Sequence, residues 1–422
     1  MSPASTIVII GAGPAACTLA ALLARRGLKP LVLDDGQRPE MIVGESLVPA
    51  VVPLLRKLEM EERVAAISQH KPGVSFLHSA APPIHFNFAP IARYLPAYAY
   101  NVERHSFDAL LKTRAIELGA VFLPVRGNVV LAAPGSGREL ELDASTLAAC
   151  PPLAGRQPDL LIDATGRQRL LSKVLDIPAE HGPREDLACF AHYEDFVMPE
   201  PPGQVLISRL ERGWSWCIPL AGGRMSFGIV THHTHAKELG ETPEARLETV
   251  LRESTEHRQA AARARRVSPV AVYRNYQRIG QRAHGPGWAA VGDAFGFVDP
   301  MLSSGLFLAM EAAEKLDTAL AAGTARAMTR YESTMRKWYR TWADLIEYFY
   351  DGRMYSLYLA GHLMRQRRNN CVQRTVDRLL NKHIACMASG ALTRARFSRT
   401  LLKFAAKFLT TRSVPAKRLA IR

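Results

Sequence analysis

Thr6-Ile7-Val8-Ile9-Ile10-Gly11-Ala12-Gly13-Pro14-Ala15-Ala16 sets a short β-branched apolar run directly against a glycine-rich turn. The run reads as a buried strand. A helical pattern follows through Leu19, Leu22 and Leu23 to Arg26, Gly27 stops it, and Leu31-Val32-Leu33 gives a second strand ending at Asp34. Strand, glycine turn, helix, strand and acid in this order predict a dinucleotide-binding βαβ unit. Gly11 permits the tight turn, and Gly13 lets the backbone approach a pyrophosphate at the helix N-terminus, where free N–H groups favour an anion. Ala16 stands at the third glycine position and still allows close helix packing. Asp34 is placed to accept hydrogen bonds from a ribose.

The chain has 422 residues, 48% of them hydrophobic and 22% charged, enough for two to three domains' worth of core. No run approaches the ~20 apolar residues of a membrane span, and the first residues lack the basic region of a signal peptide, so a cytoplasmic location is expected. Six scattered cysteines without a C-x-x-C pair argue against a disulfide framework or a zinc site. Charge is unevenly spread. Residues 365–422 carry fifteen Lys and Arg against Asp377 alone, which is +14 of the chain's +15. Within them Phe397, Leu401, Phe404 and Phe408 recur at helical spacing, predicting a basic amphipathic helix. It either packs on the body as a solvated surface helix or meets an acidic protein or an anionic membrane surface. Nucleic acid is not expected as a partner, because no binding motif accompanies the charge.

Three later blocks bear on the nucleotide. Tyr100-Asn101-Val102-Glu103-Arg104, followed by Phe107-Asp108, resembles the arginine-bearing strand and helix of the flavin hydroxylase superfamily. Leu161 to Arg167 resembles its strand closing over the cofactor, and Trp288 to Ala294 its motif whose aspartate, here Asp293, reaches the ribityl chain. The resemblance implies FAD and a discontinuous cofactor domain. The expected fold is α/β: a Rossmann-like FAD-binding domain of the flavin hydroxylase type with an inserted antiparallel β-sheet and a helical C-terminal region. The expected division is 1–72, 101–186 and 286–320 for FAD, 73–100 and 187–285 for the substrate-side sheet, and 321–422 for the helical region.

Trp214-Ser215-Trp216-Cys217-Ile218-Pro219 narrows this further. In a strand the two indoles share one face and the proline ends the ladder or holds an edge. Core packing explains an isolated pair of this kind. Here the segment fits the W-x-W-x-I-P signature of flavin-dependent halogenases, and Gly44-Glu45-Ser46-Leu47-Val48-Pro49 looks like that family's segment beside the flavin. Lys71 to Phe76 resembles the segment carrying its essential lysine, and Asp299 to Gly305 resembles the loop on the flavin's other side that holds halide on backbone N–H groups.

The resemblance to the halogenases implies the following chemistry. Reduced FAD and O2 oxidise chloride or bromide to hypohalous acid, which halogenates an electron-rich ring kept apart from the flavin. Gly11, Gly13, Ala16, Asp34, Glu45, Ser46, Arg104, Asp293 and Pro300 are then the cofactor residues, Ser303, Ser304 and Gly305 the halide seat, and Lys71, Trp214 and Trp216 the catalytic set. Leu302 stands where tryptophan halogenases usually carry a glutamate, which leans toward phenols or pyrroles, free or tethered to an acyl carrier protein, in secondary-metabolite or pigment biosynthesis. With no second nucleotide fingerprint, a separate flavin reductase is the expected source of reduced FAD. A flavin-dependent hydroxylase or reductase, and a degenerate flavoprotein serving as a binding subunit, are the alternative readings. His232, His233 and His235 read as a polar loop rather than a metal site. The aromatic run Tyr339 to Tyr350 reads as core or as a helix covering the substrate chamber.

Overall fold

The computed structural model describes residues 5–78, 81–198 and 201–357, with positions 359, 382–383, 386, 389–391, 400 and 420–421 beyond them. The expected amphipathic helix of the basic segment 365–422 therefore lies outside the described residues.

The strand Ile7–Ile10 is buried at every position and sits inside a six-stranded sheet. The order across that sheet is 284–285, 288–290, 160–163, 7–10, 31–33 and 121–123, and only the short edge pair His284–Gly285 with Trp288–Ala290 is antiparallel. Parallel strands covered on both faces read as continuous apolar runs, which is why IVII and LLID carry no alternation. The helix Pro14–Arg25 packs over this sheet, buried from Ala15 to Ala24, and touches the helices Arg104–Glu117 and Ser304–Ala322. Gly11 holds φ +99°, and a Cβ there would lie 2.6 Å from the Ala164 carbonyl oxygen. Only glycine fits that turn.

A second sheet of nine strands carries the tryptophans. Its order is 296–297, 271–280, 179–194, 225–232, 213–219, 205–210, 73–78 and 81–87, with Arg265–Arg266 added to the strand Ala179–Glu194. It is antiparallel as expected at every junction but one. Val205–Leu210 runs parallel to Gly73–His78, with Val205 opposite Val74. These two strands are distant in sequence and share no hairpin, so no turn forces them to oppose.

Period-two alternation divides the strand Gly213–Pro219 cleanly. Trp214, Trp216 and Ile218 join the main core, whereas Cys217 joins a smaller cluster with Phe227 and Ile229 on the other face. Trp216 lies opposite Gly228, where an added Cβ would sit 2.2 Å from the indole ring. The ring occupies the space a side chain would need. Pro219 still pairs with Met225 at the strand's end.

Two helices complete the described body. Ser304–Ala322 is buried along most of its length, and Gly323 ends it at φ +65°. Thr324 then accepts a hydrogen bond from the Ala327 N–H, capping the helix Ala325–Tyr350. That helix buries Trp338, Tyr339, Trp342, Ile346, Phe349 and Tyr350, so the aromatic run is one face of one helix. No helix among the described residues is long and apolar enough to cross a membrane.

Candidate active site

One cavity runs between the two sheets. Its lining includes Gly13, Pro14 and Ala15 of the glycine turn, Glu45, Ser46, Arg104, Arg167 and Asp293, and Trp214, Trp216, Pro300, Ser303 and Gly305. The glycine turn, the tryptophan strand and the 299–305 segment therefore meet although nearly 300 residues of chain separate them. Gly11, Ala16, Asp34, Ser304 and Lys71 stand outside the lining.

At the glycine turn the helix Pro14–Arg25 begins at Gly13 without a side-chain cap, and a Cβ at Gly13 would meet nothing within 4 Å. Uncapped N–H groups and the helix dipole thus face open space. Arg104 spans Asp108, through Nε to Oδ1 at 3.1 Å and Nη2 to Oδ2 at 3.2 Å, and donates Nη1–H to the Val43 carbonyl at 2.7 Å. Asp34 lies just beyond the strand Leu31–Leu33 and is met by the Lys112 ammonium at 2.6 Å. Burial pushes its carboxyl up, but Lys112 and the Gly36 N–H outweigh that and hold it below the usual range. Asp293 lines the cavity too. Burial raises it to about 6 against the pull of Arg167 and Arg104.

On the cavity wall the indoles of Trp214 and Trp216 lie 5.7 Å apart, tilted by 46°. Neither polar edge is wasted. Trp216 donates its N–H to Ser226 Oγ at 3.2 Å, and Trp214 donates to the Tyr350 hydroxyl at 2.8 Å. Tyr350 in turn donates to Asp299 Oδ2 at 3.0 Å, while Asp299 Oδ1 accepts the Met301 N–H at 2.9 Å and caps the turn Pro300–Leu302. Ser303 follows in the left-handed region at φ +56°, and the helix Ser304–Ala322 starts there. Leu302 is buried.

Lys71 lies in the short strand Gln69–Lys71 and is 1% exposed. Its Nζ donates to the Leu47 carbonyl at 2.8 Å and sits 5.5 Å from the centre of the Phe88 ring. No carboxylate offsets its burial, which lowers the ammonium to about 7. Glu45 is the second buried surprise, because its Oε1 is 2.6 Å from His192 Nε2 with both residues almost wholly enclosed.

Sequence reasoning missed His192, Tyr273 and the Asp299–Tyr350–Trp214 chain. Tyr273 lines the cavity and donates to the Met41 carbonyl at 2.6 Å. Tyr350 had a signal in the aromatic run, and Asp299 in its position before the proline. His192 had none, since its partner lies 147 residues away. Of the three histidines read as a loop, His232 ends the strand Met225–His232, and its Nδ1 lies 2.8 Å from Thr234 Oγ1.

The lining fits a flavin dinucleotide. Its uncapped helix N-terminus and two guanidinium groups suit a diphosphate, Asp293 suits a polyol, and Val43, Val291, Met301 and Leu306 offer a flat ring an apolar slot. The Ser46 hydroxyl on this lining is buried without a hydrogen-bond partner in the protein, leaving a polar atom to be satisfied there.

A family model described as "Tryptophan halogenase" matches residues 6–97 and 94–358. A tryptophan 2-halogenase of Chondromyces crocatus is 29% identical over 371 residues, 83% of this chain and 68% of that protein. A 1H-pyrrole-2-carbonyl-[peptidyl-carrier protein] brominase of Pseudoalteromonas luteoviolacea is 28% identical over 368 residues, 82% of this chain and 85% of that one. Among solved structures, the flavin-dependent brominase Bmp2 superposes with a TM-score of 0.74 at 23% identity, covering 96% of this chain and 99% of its own. At that identity the likeness shows the fold.

Proposed function

The chain belongs to the tryptophan halogenase family of flavin-dependent halogenases, and from that premise we propose that it halogenates a phenol or pyrrole with chloride or bromide. The observation that carries this reading is the shared cavity of the dinucleotide turn, the paired indoles and the Pro300–Gly305 segment. Leu302, buried where a carboxylate would serve an indole substrate, supports an electron-rich ring that needs less activation. The relatives include both a tryptophan 2-halogenase and carrier-protein pyrrole halogenases, so substrate choice rests on the site and not on identity.

Gly13 with the helix start, Glu45, Ser46, Arg104, Asp293 and Pro300 are the residues we assign to holding FAD, with Asp34 at the ribose. When bound in reduced form, delivered by a separate reductase, FAD supplies with O2 the two-electron oxidation of halide to hypohalous acid and water. The chain's own residues govern the rest. Backbone N–H groups at Ser304 and Gly305 seat the halide at a helix N-terminus, beside the unpartnered Ser304 hydroxyl. Trp214 and Trp216 keep the arene from the oxidant's source, a task for large rings locked by hydrogen bonds at both indole edges. The Lys71 ammonium, enclosed outside this lining on the Leu47 carbonyl, is the residue we assign to hold hypohalous acid by hydrogen bonding once the acid reaches it, and its lowered affinity for a proton also allows the neutral amine to take the halogen as a haloamine. The ring then gains halogen and loses a proton, and the hypohalous oxygen leaves as water.

The protein with reduced FAD, O2 and bromide should brominate an electron-rich phenol, or a pyrrole loaded on a carrier protein, with the isotope pattern of one bromine in the mass spectrum. A hydroxylated product free of bromine from every such substrate overturns the reading.

A further inference from the structure

The tryptophan wall and the proposed halide seat are joined by side chains that sequence reading assigned no role. Trp214 donates to Tyr350, Tyr350 donates to Asp299 Oδ2, and Asp299 Oδ1 takes the Met301 N–H that closes the turn leading to Ser303. Three elements otherwise separate in sequence meet on one carboxylate. The chain is braced from the side. Arg184 lies 4.0 Å over the Tyr350 ring and is held by Asp186 through two hydrogen bonds of 2.8 Å. Asp186, Asp299, Trp214 and Tyr350 are all nearly sealed from solvent.

We infer that Asp299 is a positioning residue that sets the indole wall and the 300–305 turn as one unit. The inference rests on reading that turn as the halide seat. A hydrogen-bonded path with a buried carboxylate at its end has a definite polarity: while Asp299 is ionised it accepts from both Tyr350 and Met301. Among the groups facing it are Asp186 and Arg184 from the strand Ala179–Glu194, Tyr350 from the long helix, and the Met301 N–H of its own turn. Burial and the Asp186 charge push its carboxyl up, while Met301, Tyr350 and Arg184 pull it down, and it comes to rest at about 7. Near neutral pH the far end of the path, the Trp214 indole, therefore feels a change of charge.

The test uses the full-length protein loaded with FAD, with its five tryptophans labelled at the indole nitrogen. The Trp214 signal, identified by its loss in Trp214→Phe, should move through neutral pH in the wild type. It should shift in Tyr350→Phe and stop titrating in Asp299→Asn. Asp299→Ala, which removes the turn's acceptor, should raise the apparent KM for bromide about fivefold, the equivalent of one ordinary hydrogen bond, with kcat within about twofold. Asp299→Asn, whose amide oxygen still accepts from Met301, should restore that KM. A Trp214 signal unmoved in both Tyr350→Phe and Asp299→Ala overturns the inference. So does an unchanged bromide KM in Asp299→Ala. Absence of brominated product from the wild type overturns the halide reading instead, and the indole signal then decides the coupling on its own.

Discussion

Lys71 shows how far one side chain can depart from its ordinary state. It is buried with a single carbonyl partner and a ring beneath it, so its folded form releases a proton at about 7 while the unfolded chain does so near ~10.5. Between those values the unfolded state binds more protons, so wild-type stability gains with rising pH in that window and is flat with respect to this group below it. Lys71→Met removes the term. Thermal melts across pH 6 to 10 should show the variant's advantage over the wild type largest at the acid end, by about a few kcal/mol, and shrinking toward pH 10. The same variant should make no halogenated product. A stability difference that does not change with pH would mean that Lys71 is charged in the fold. A second residue-scale test concerns Arg104, which joins Asp108 and Val43 beside the cavity. Arg104→Ala should weaken FAD binding about tenfold or more, read by flavin fluorescence titration, because loss of a charge-assisted contact costs about 1.5–3 kcal/mol.

Among the elements, the strand Gly213–Pro219 and its neighbour Met225–His232 depend on one exchange of volume. Gly228 contributes no side chain so that Trp216 can fill the space. Gly228→Ala should destabilise the fold by about 1–3 kcal/mol, and adding Trp216→Phe should recover part of that loss, a coupling that denaturant melts of the four variants will read. Where local pattern decides structure, the chain was legible. The βαβ unit and the tryptophan strand follow from apolar period and glycine placement, both of which act within a few positions. Sequence spacing carries no term for pairs such as Glu45 with His192 or Trp214 with Tyr350, separated by 147 and 136 residues. Those contacts exist only once the sheets have docked. Lys71 illustrates the same limit: its family context pointed to a role, yet its burial against Leu47 and Phe88 came only from the fold.

At the scale of the whole molecule, a cavity between two sheets makes the ligand part of what holds them together. Anything that binds the folded form and not the unfolded one stabilises it by mass action, about 2.7 kcal/mol at a hundred times its Kd. FAD at that excess should raise the melting temperature by several degrees, and Gly11→Ala, with its Cβ against the Ala164 carbonyl, should abolish the shift as well as lower the baseline. A shift of equal size in the variant would place the ligand elsewhere.

The one parallel junction of the nine-stranded sheet, Val205–Leu210 beside Gly73–His78, has a consequence for the chain during its own synthesis. Gly73–His78 can fold back on Ala81–Asn87 at once, but its other edge must wait for a partner that emerges on the order of ten seconds later at ribosomal speeds of about 5–20 residues per second. For that interval a nascent hairpin bearing Val74, Phe76, Ile84 and Phe86 trails behind the growing end with an unpaired, apolar edge. Such an edge invites pairing with neighbouring chains on the same message. Yield of active protein in a heterologous host should therefore respond to slower growth and to holdase chaperones far more than to codons downstream of residue 219.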